Sequence, residues 1–131
     1  MNILDVDVED LKKRFSKTDK LAAMMSLQKE LAEKYGLNLP VNLNTKEGQR
    51  TIRNLVFCLV EELFEMTNTL KNREWTKTEL PVDLNHFFEE LSDSLLFFIE
   101  LMVAVGLSPQ ECFDLYLKKY KVNLFRQRTQ Y

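Results

Sequence analysis

Glycine and proline are scarce, three of each in 131 residues. So few turn formers leave little room for the many tight turns of a sandwich or barrel, and they favour long uninterrupted helices. Histidine occurs once, and the two cysteines, Cys58 and Cys112, lack Cys-x-x-Cys spacing. That pattern argues against a disulfide framework and against a zinc site, and it leaves two buried thiols in a reducing compartment as the expectation. The apolar run from Ser94 to Gly106 carries Glu100 and is too short to span a bilayer. The first residues, MNILDVDVED, are acidic and lack a signal-peptide pattern, so a cytoplasmic protein with no membrane association is expected. Nor is there an excess of one charge. With 18 Lys and Arg against 20 Asp and Glu, the net charge is −2, which argues against general nucleic-acid affinity.

What the chain does have is helical patterning, and its 45% hydrophobic content suffices for one domain covering residues 1–131. A short helix is expected near Val6 to Phe15. Thr18 is placed to cap a second helix, whose apolar residues Leu21, Met24, Met25, Leu27, Leu31 and Ala32 follow a helical period and which Gly36 ends. After an irregular connection around Pro40, Thr45 is the N-cap candidate of a long helix from about Lys46 to Lys71. A loop from Trp75 to Asp83 contains Pro81, and Asp83 caps a second long helix that reaches Gly106. Ser108, Pro109 and Glu111 then form a capping-box pattern for a last helix from Pro109 to about Phe125. The expected architecture is all-α, an antiparallel bundle of four to five helices.

Four carboxylates interrupt the two most apolar of these stretches: Glu62 and Glu65 in FCLVEELFEM, Glu90 and Asp93 in FFEELSDSLLFF. Each pair has i,i+3 spacing, so its two side chains share one helix face. Acids hemmed by aromatics inside apolar helices need a partner, and these lie far from any helix N-terminus that would offset their charge. Two such helices packed together aim four oxygen ligands at one point. Hard oxygen sets of this kind suit Mg2+, with Mn2+ as a substitute, and magnesium sites usually serve a substrate phosphate. Glu61 precedes the first pair and is a candidate general base on an attacking water. Glu89 is expected to face solvent. A ferritin-like di-iron site needs Glu-x-x-His on two helices, whereas the single His86 precedes Glu89 and Glu90 and reads as a surface residue at a helix start.

Basic residues crowd the C-terminal segment, where Lys119, Asn123 and Arg126 at steps of four and three make one polar helix face suited to phosphate oxygens. Two further side chains are candidates for base recognition: Trp75, whose ring can stack on a base or anchor packing, and Gln28, which can read a base edge.

Glu61-Glu62-Leu63-Phe64-Glu65 followed by Glu90-Leu91-Ser92-Asp93 resembles the signature of the all-α nucleoside triphosphate pyrophosphohydrolases, Glu-Glu-x-x-Glu and then Glu-x-x-Asp. That superfamily includes MazG-like enzymes and the dimeric dUTPases. Lys119, Asn123, Phe125, Arg126, Gln127 and Tyr131 resemble the closing stretch of the dimeric dUTPases, and the likeness covers roughly residues 21 to 131. The resemblance implies that Glu62, Glu65, Glu90 and Asp93 hold magnesium, that Lys119, Asn123, Arg126 and Tyr131 contact phosphates, and that Gln28 and Trp75 border the base pocket. It further implies a homodimer with a cleft shared between subunits, and hydrolysis of a nucleoside triphosphate to its monophosphate and pyrophosphate. The chain departs from the family pattern at Asn68, at Asn72, Arg73 and Thr76 around Trp75, and at Gln130 before the closing Tyr. These departures leave dUTP, dCTP or both open as substrate, with a MazG-like enzyme of broader specificity or a non-catalytic helical interaction module as alternatives.

Overall fold

The structure, a computed structural model, describes residues 7–129, and these form five helices and no strand. They are α1 (Val8–Arg14), α2 (Lys20–Lys34), α3 (Lys46–Asn68), α4 (Leu84–Ala104) and α5 (Pro109–Arg128). The all-α expectation holds. No single helix among the described residues is long and apolar enough to cross a membrane.

Local hydrogen bonding sets most of the helix starts. Thr45 Oγ1 accepts from the Gly48 N–H at 3.0 Å, and Asp83 Oδ1 accepts from the His86 N–H at 3.2 Å. At α5 the capping box is complete: Ser108 Oγ accepts from the Glu111 N–H at 3.1 Å, and Glu111 Oε2 accepts from the Ser108 N–H at 2.8 Å. The cap of α2 is Asp19, not Thr18. Its Oδ2 accepts from the Ala22 N–H at 3.0 Å, while Thr18 is spent in the preceding turn, its N–H bonded to the Phe15 carbonyl at 2.9 Å.

The helix ends differ from expectation where side chains compete for backbone groups. α3 stops at Asn68 rather than Lys71, because the Thr69 N–H and hydroxyl both turn back to the Met66 carbonyl. α5 continues past Phe125 to Arg128. α2 and α4 end alike, with Gly36 and Gly106 at φ 77° and 81°. There the Leu37 N–H reaches the Ala32 carbonyl at 2.9 Å and the Leu107 N–H reaches the Met102 carbonyl at 3.1 Å, the six-to-one bond of a Schellman motif.

α4 lies between α2 and α3 and packs on both, most extensively on α3. The buried apolar core is small: Met25 and Ala32 from α2, Leu39 from the connection, Leu55 from α3, and Ile99, Val103 and Ala104 from α4. The Val41 N–H closes this end by donating to the Ala104 carbonyl at 2.9 Å. α5 is only lightly packed, against α2. Cys58 and Cys112 are free thiols and only half-buried, not fully buried as expected. Val6 and Tyr131 lie outside the described residues.

Candidate metal centre and adjoining cavity

The close packing of α3 on α4 brings the two acidic faces together. Glu62, Glu65 and Glu90 each offer a carboxylate oxygen, and the three atoms lie within 4.8 Å of one another. Three carboxylate oxygens this close could hold one divalent cation between them. Glu90 is buried, and its Oε1 is 3.0 Å from His86 Nε2, one turn back on α4. The remaining oxygens are the informative ones. Oε2 of Glu62 and Oε2 of Glu90 are both buried without a hydrogen-bond partner. Buried acceptors are seldom left unpaired, so two of them on neighbouring carboxyls call for a cation or a proton.

The electrostatics agree. The Glu62 carboxyl is pushed up to about 6, first by burial, then by repulsion from Glu65 and Asp93 and by its contact with Glu90. The Glu65 carboxyl is raised as well, first by its side-chain contact with Glu90 and then by that group's charge. Among the described residues, no lysine or arginine pairs with any of the four acids. An all-oxygen donor set whose negative charge is uncompensated suits a hard divalent cation such as Mg2+ or Mn2+.

Asp93 is not one of the three clustered acids. Half-buried on α4, it lines a cavity of about 410 Å3 beside them, together with Glu62, Gln28, Leu55, Phe97 and Glu100. Gln28 is buried there rather than solvated, at 6% exposure. Glu61 is exposed, yet near enough for its charge to raise Glu65. Glu89 faces solvent.

Other predicted residues are not brought to this place. Lys119, Asn123 and Arg126 are exposed on α5, away from the acids of α3 and α4. Trp75 is 80% exposed in the loop between α3 and α4, a loop that Asn72 fastens by two 2.9 Å hydrogen bonds to the Leu80 backbone. It neither anchors packing within the chain nor reaches the cavity. His86 is exposed near the start of α4, as its position in the sequence suggests, but it also holds Glu90, and Glu100, an acid near the two pairs in sequence, is 6% exposed in the cavity wall. Helical spacing carried the signal for both, since His86 is four residues before Glu90 and Glu100 is seven after Asp93.

No family model, no curated protein and no solved structure matches this chain.

Proposed function

We propose that this chain is a Mg2+-dependent nucleoside triphosphate pyrophosphohydrolase of the MazG-like and dimeric dUTPase type, converting dUTP or dCTP to the monophosphate and pyrophosphate. The observation that carries the reading is the cluster of Glu62, Glu65 and Glu90, with two orphaned buried oxygens, opening beside a cavity that Asp93 and Gln28 also line. Metal bound there would neutralise phosphate charge and lower the pKa of an attacking water. Glu62, Glu65 and Glu90 would hold it with Asp93 at the cavity edge, His86 would fix the orientation of Glu90, and Glu61 is the candidate base for the water proton.

Lys119, Asn123 and Arg126 are suited to hold phosphate oxygens and to stabilise the charge that develops on them. Since α5 packs lightly and does not bring them to the acids of its own chain, the reading assigns them to a cleft shared with a second copy. A homodimer also accounts for the apolar side chains left outside, among them Phe57 and Phe64 on α3, Phe88 and Phe98 on α4, and Phe113 and Tyr116 on α5.

Release of pyrophosphate and monophosphate from the deoxy- and ribonucleoside triphosphates, with and without Mg2+, tests the activity. Magnesium-dependent turnover of dUTP or dCTP is expected, and Glu62→Ala or Asp93→Ala should abolish it; a near-wild-type rate in Glu62→Ala removes the metal assignment, and one in Asp93→Ala removes the role of Asp93. Weak turnover of every triphosphate points to a broader MazG-like enzyme. The uncovered apolar face of α5 favours a second reading, a non-catalytic interaction module. Turnover of nothing, with no magnesium effect on melting, selects it.

A further inference from the structure

Glu100 is the buried carboxylate that the proposed chemistry does not use. It stands at 6% exposure on α4, and no cation pairs with it among the described residues. An ionised carboxylate placed this way is costly unless donors satisfy it. One donor is at hand, the amide of Gln28 from α2, itself 6% exposed in the same cavity. Burial raises the Glu100 carboxyl above its ordinary range, and the Gln28 amide works against that rise. A carboxylate has about four lone-pair sites, so one amide leaves most of its accepting capacity unfilled.

The cavity is lined by two sets of polar side chains. Glu62 and Asp93 line it toward the metal cluster, Glu100, two turns further along α4, lines it together with Gln28, and Leu31, Leu96 and Phe97 line it as well. Asp93 and Glu100 are two turns apart on α4, about 10 Å along the helix axis at about 1.5 Å per residue. That separation is comparable to the reach from the 5′-phosphate of a nucleotide to the outer edge of its base. An apolar enclosure with a few convergent polar groups is the usual form of a site that fixes one orientation of a flat ligand.

Resting on the hydrolase reading above, we propose that Glu100 and Gln28 form the base-reading pair, and that they select a pyrimidine with an amino group over one with a keto oxygen at the same position. Glu100 can only accept, and the Gln28 amide can donate. Cytosine offers the complement, an amino donor beside an unprotonated ring nitrogen that accepts. Uracil would turn its keto oxygen toward the carboxylate, setting acceptor against acceptor without a proton between them. Glutamate accepting from the cytosine amino group is a pairing known from base readout generally. The triphosphate favoured by this chain is then the cytosine one.

The test compares kcat/KM for dCTP and dUTP in the wild-type chain and in Glu100→Gln, at pH 8 with Mg2+. Circular dichroism and melting confirm that the near-isosteric variant is folded. The wild type should prefer dCTP by about tenfold or more, the scale of one misplaced base hydrogen bond. In Glu100→Gln, whose amide can donate to a keto oxygen, the ratio should collapse or invert. A buried glutamate with a purely structural role would lower both substrates together and leave the ratio alone. Turnover with an unchanged ratio, or a wild type that prefers dUTP, therefore overturns the base-reading pair while leaving the hydrolase intact. If no triphosphate is turned over, the hydrolase reading falls and the base preference with it.

Discussion

Glu62 has a carboxyl held at about 6 by burial and by three acidic neighbours, Glu65, Asp93 and Glu90. A group whose folded pKa is raised takes up its proton more readily in the folded chain than in the unfolded one. Its contribution to stability is therefore complete below about 4.5 and is lost as pH rises through about 6. The metal-free protein should melt at falling temperature between pH 4.5 and about 6.5, and Glu62→Gln should flatten that slope. The opposing carboxyls do not mask it. Glu30, lowered by its Arg14 partner, and Glu111, lowered by the Ser108 backbone, give up their stabilisation only below 4.5. A melting curve insensitive to pH across this window would remove the strained carboxylate cluster. Magnesium should act in the opposite sense, because it competes with the proton for the same oxygens. Its stabilisation should be larger at pH 8 than at pH 5, and at a hundred times its dissociation constant should amount to about 2.7 kcal/mol. Equal shifts at both pH values would place the ion elsewhere.

Among the elements, α3 depends on a single close approach at its first turn. A Cβ on Gly48 would lie 1.9 Å from the Asn42 carbonyl oxygen, in the connection that also supports the Thr45 cap. Gly48→Ala must separate α3 from that connection, and overpacking of this kind costs about 1–3 kcal/mol. Denaturant melts should show that loss, and an alanine variant as stable as the parent would mean that the turn repacks without strain. Caps like this one were legible in the sequence because they are decided by residues three or four positions apart, as at Thr45, Asp83 and Ser108. Where two good caps are adjacent, as with Thr18 and Asp19, local pattern does not choose between them. The same limit applies to the site. Spacing and aromatic surroundings marked Glu62, Glu65 and Glu90, but the rotation of α4 against α3 and α2 decides which further side chains turn inward. That rotation leaves Asp93 at the cavity edge and buries Glu100, and no single-helix pattern contains it, whereas the contact of His86 with Glu90 is an i,i+4 pair within α4.

At the scale of the whole molecule, the described residues leave many large apolar side chains uncovered, which is the basis of the proposed homodimer. Among the described residues seven buried apolar side chains make the core, while Phe113, Tyr116, Leu117 and Tyr120 repeat at helical spacing along α5 with their rings and branches exposed. Tyr116 and Tyr120, one turn apart, stack on each other at 6.3 Å between centroids. A specific interface needs about 1,200 Å2 or more of buried surface, and an aromatic stripe along a 20-residue helix is a suitable centre for one. Light scattering should give twice the mass of one chain, and Tyr120→Asp should shift the protein toward monomer. The two halves of the proposed site then separate experimentally. Glu62, Glu65 and Glu90 belong to one chain, so magnesium should still raise the melting temperature of the Tyr120→Asp monomer. Lys119, Asn123 and Arg126 would no longer reach a neighbour's acids, so that monomer should lose pyrophosphate release by tenfold or more, on the scale of a lost charge-assisted contact to phosphate. A monomer that hydrolyses at the full rate would show that α5 serves its own chain, and the shared cleft would have to be abandoned.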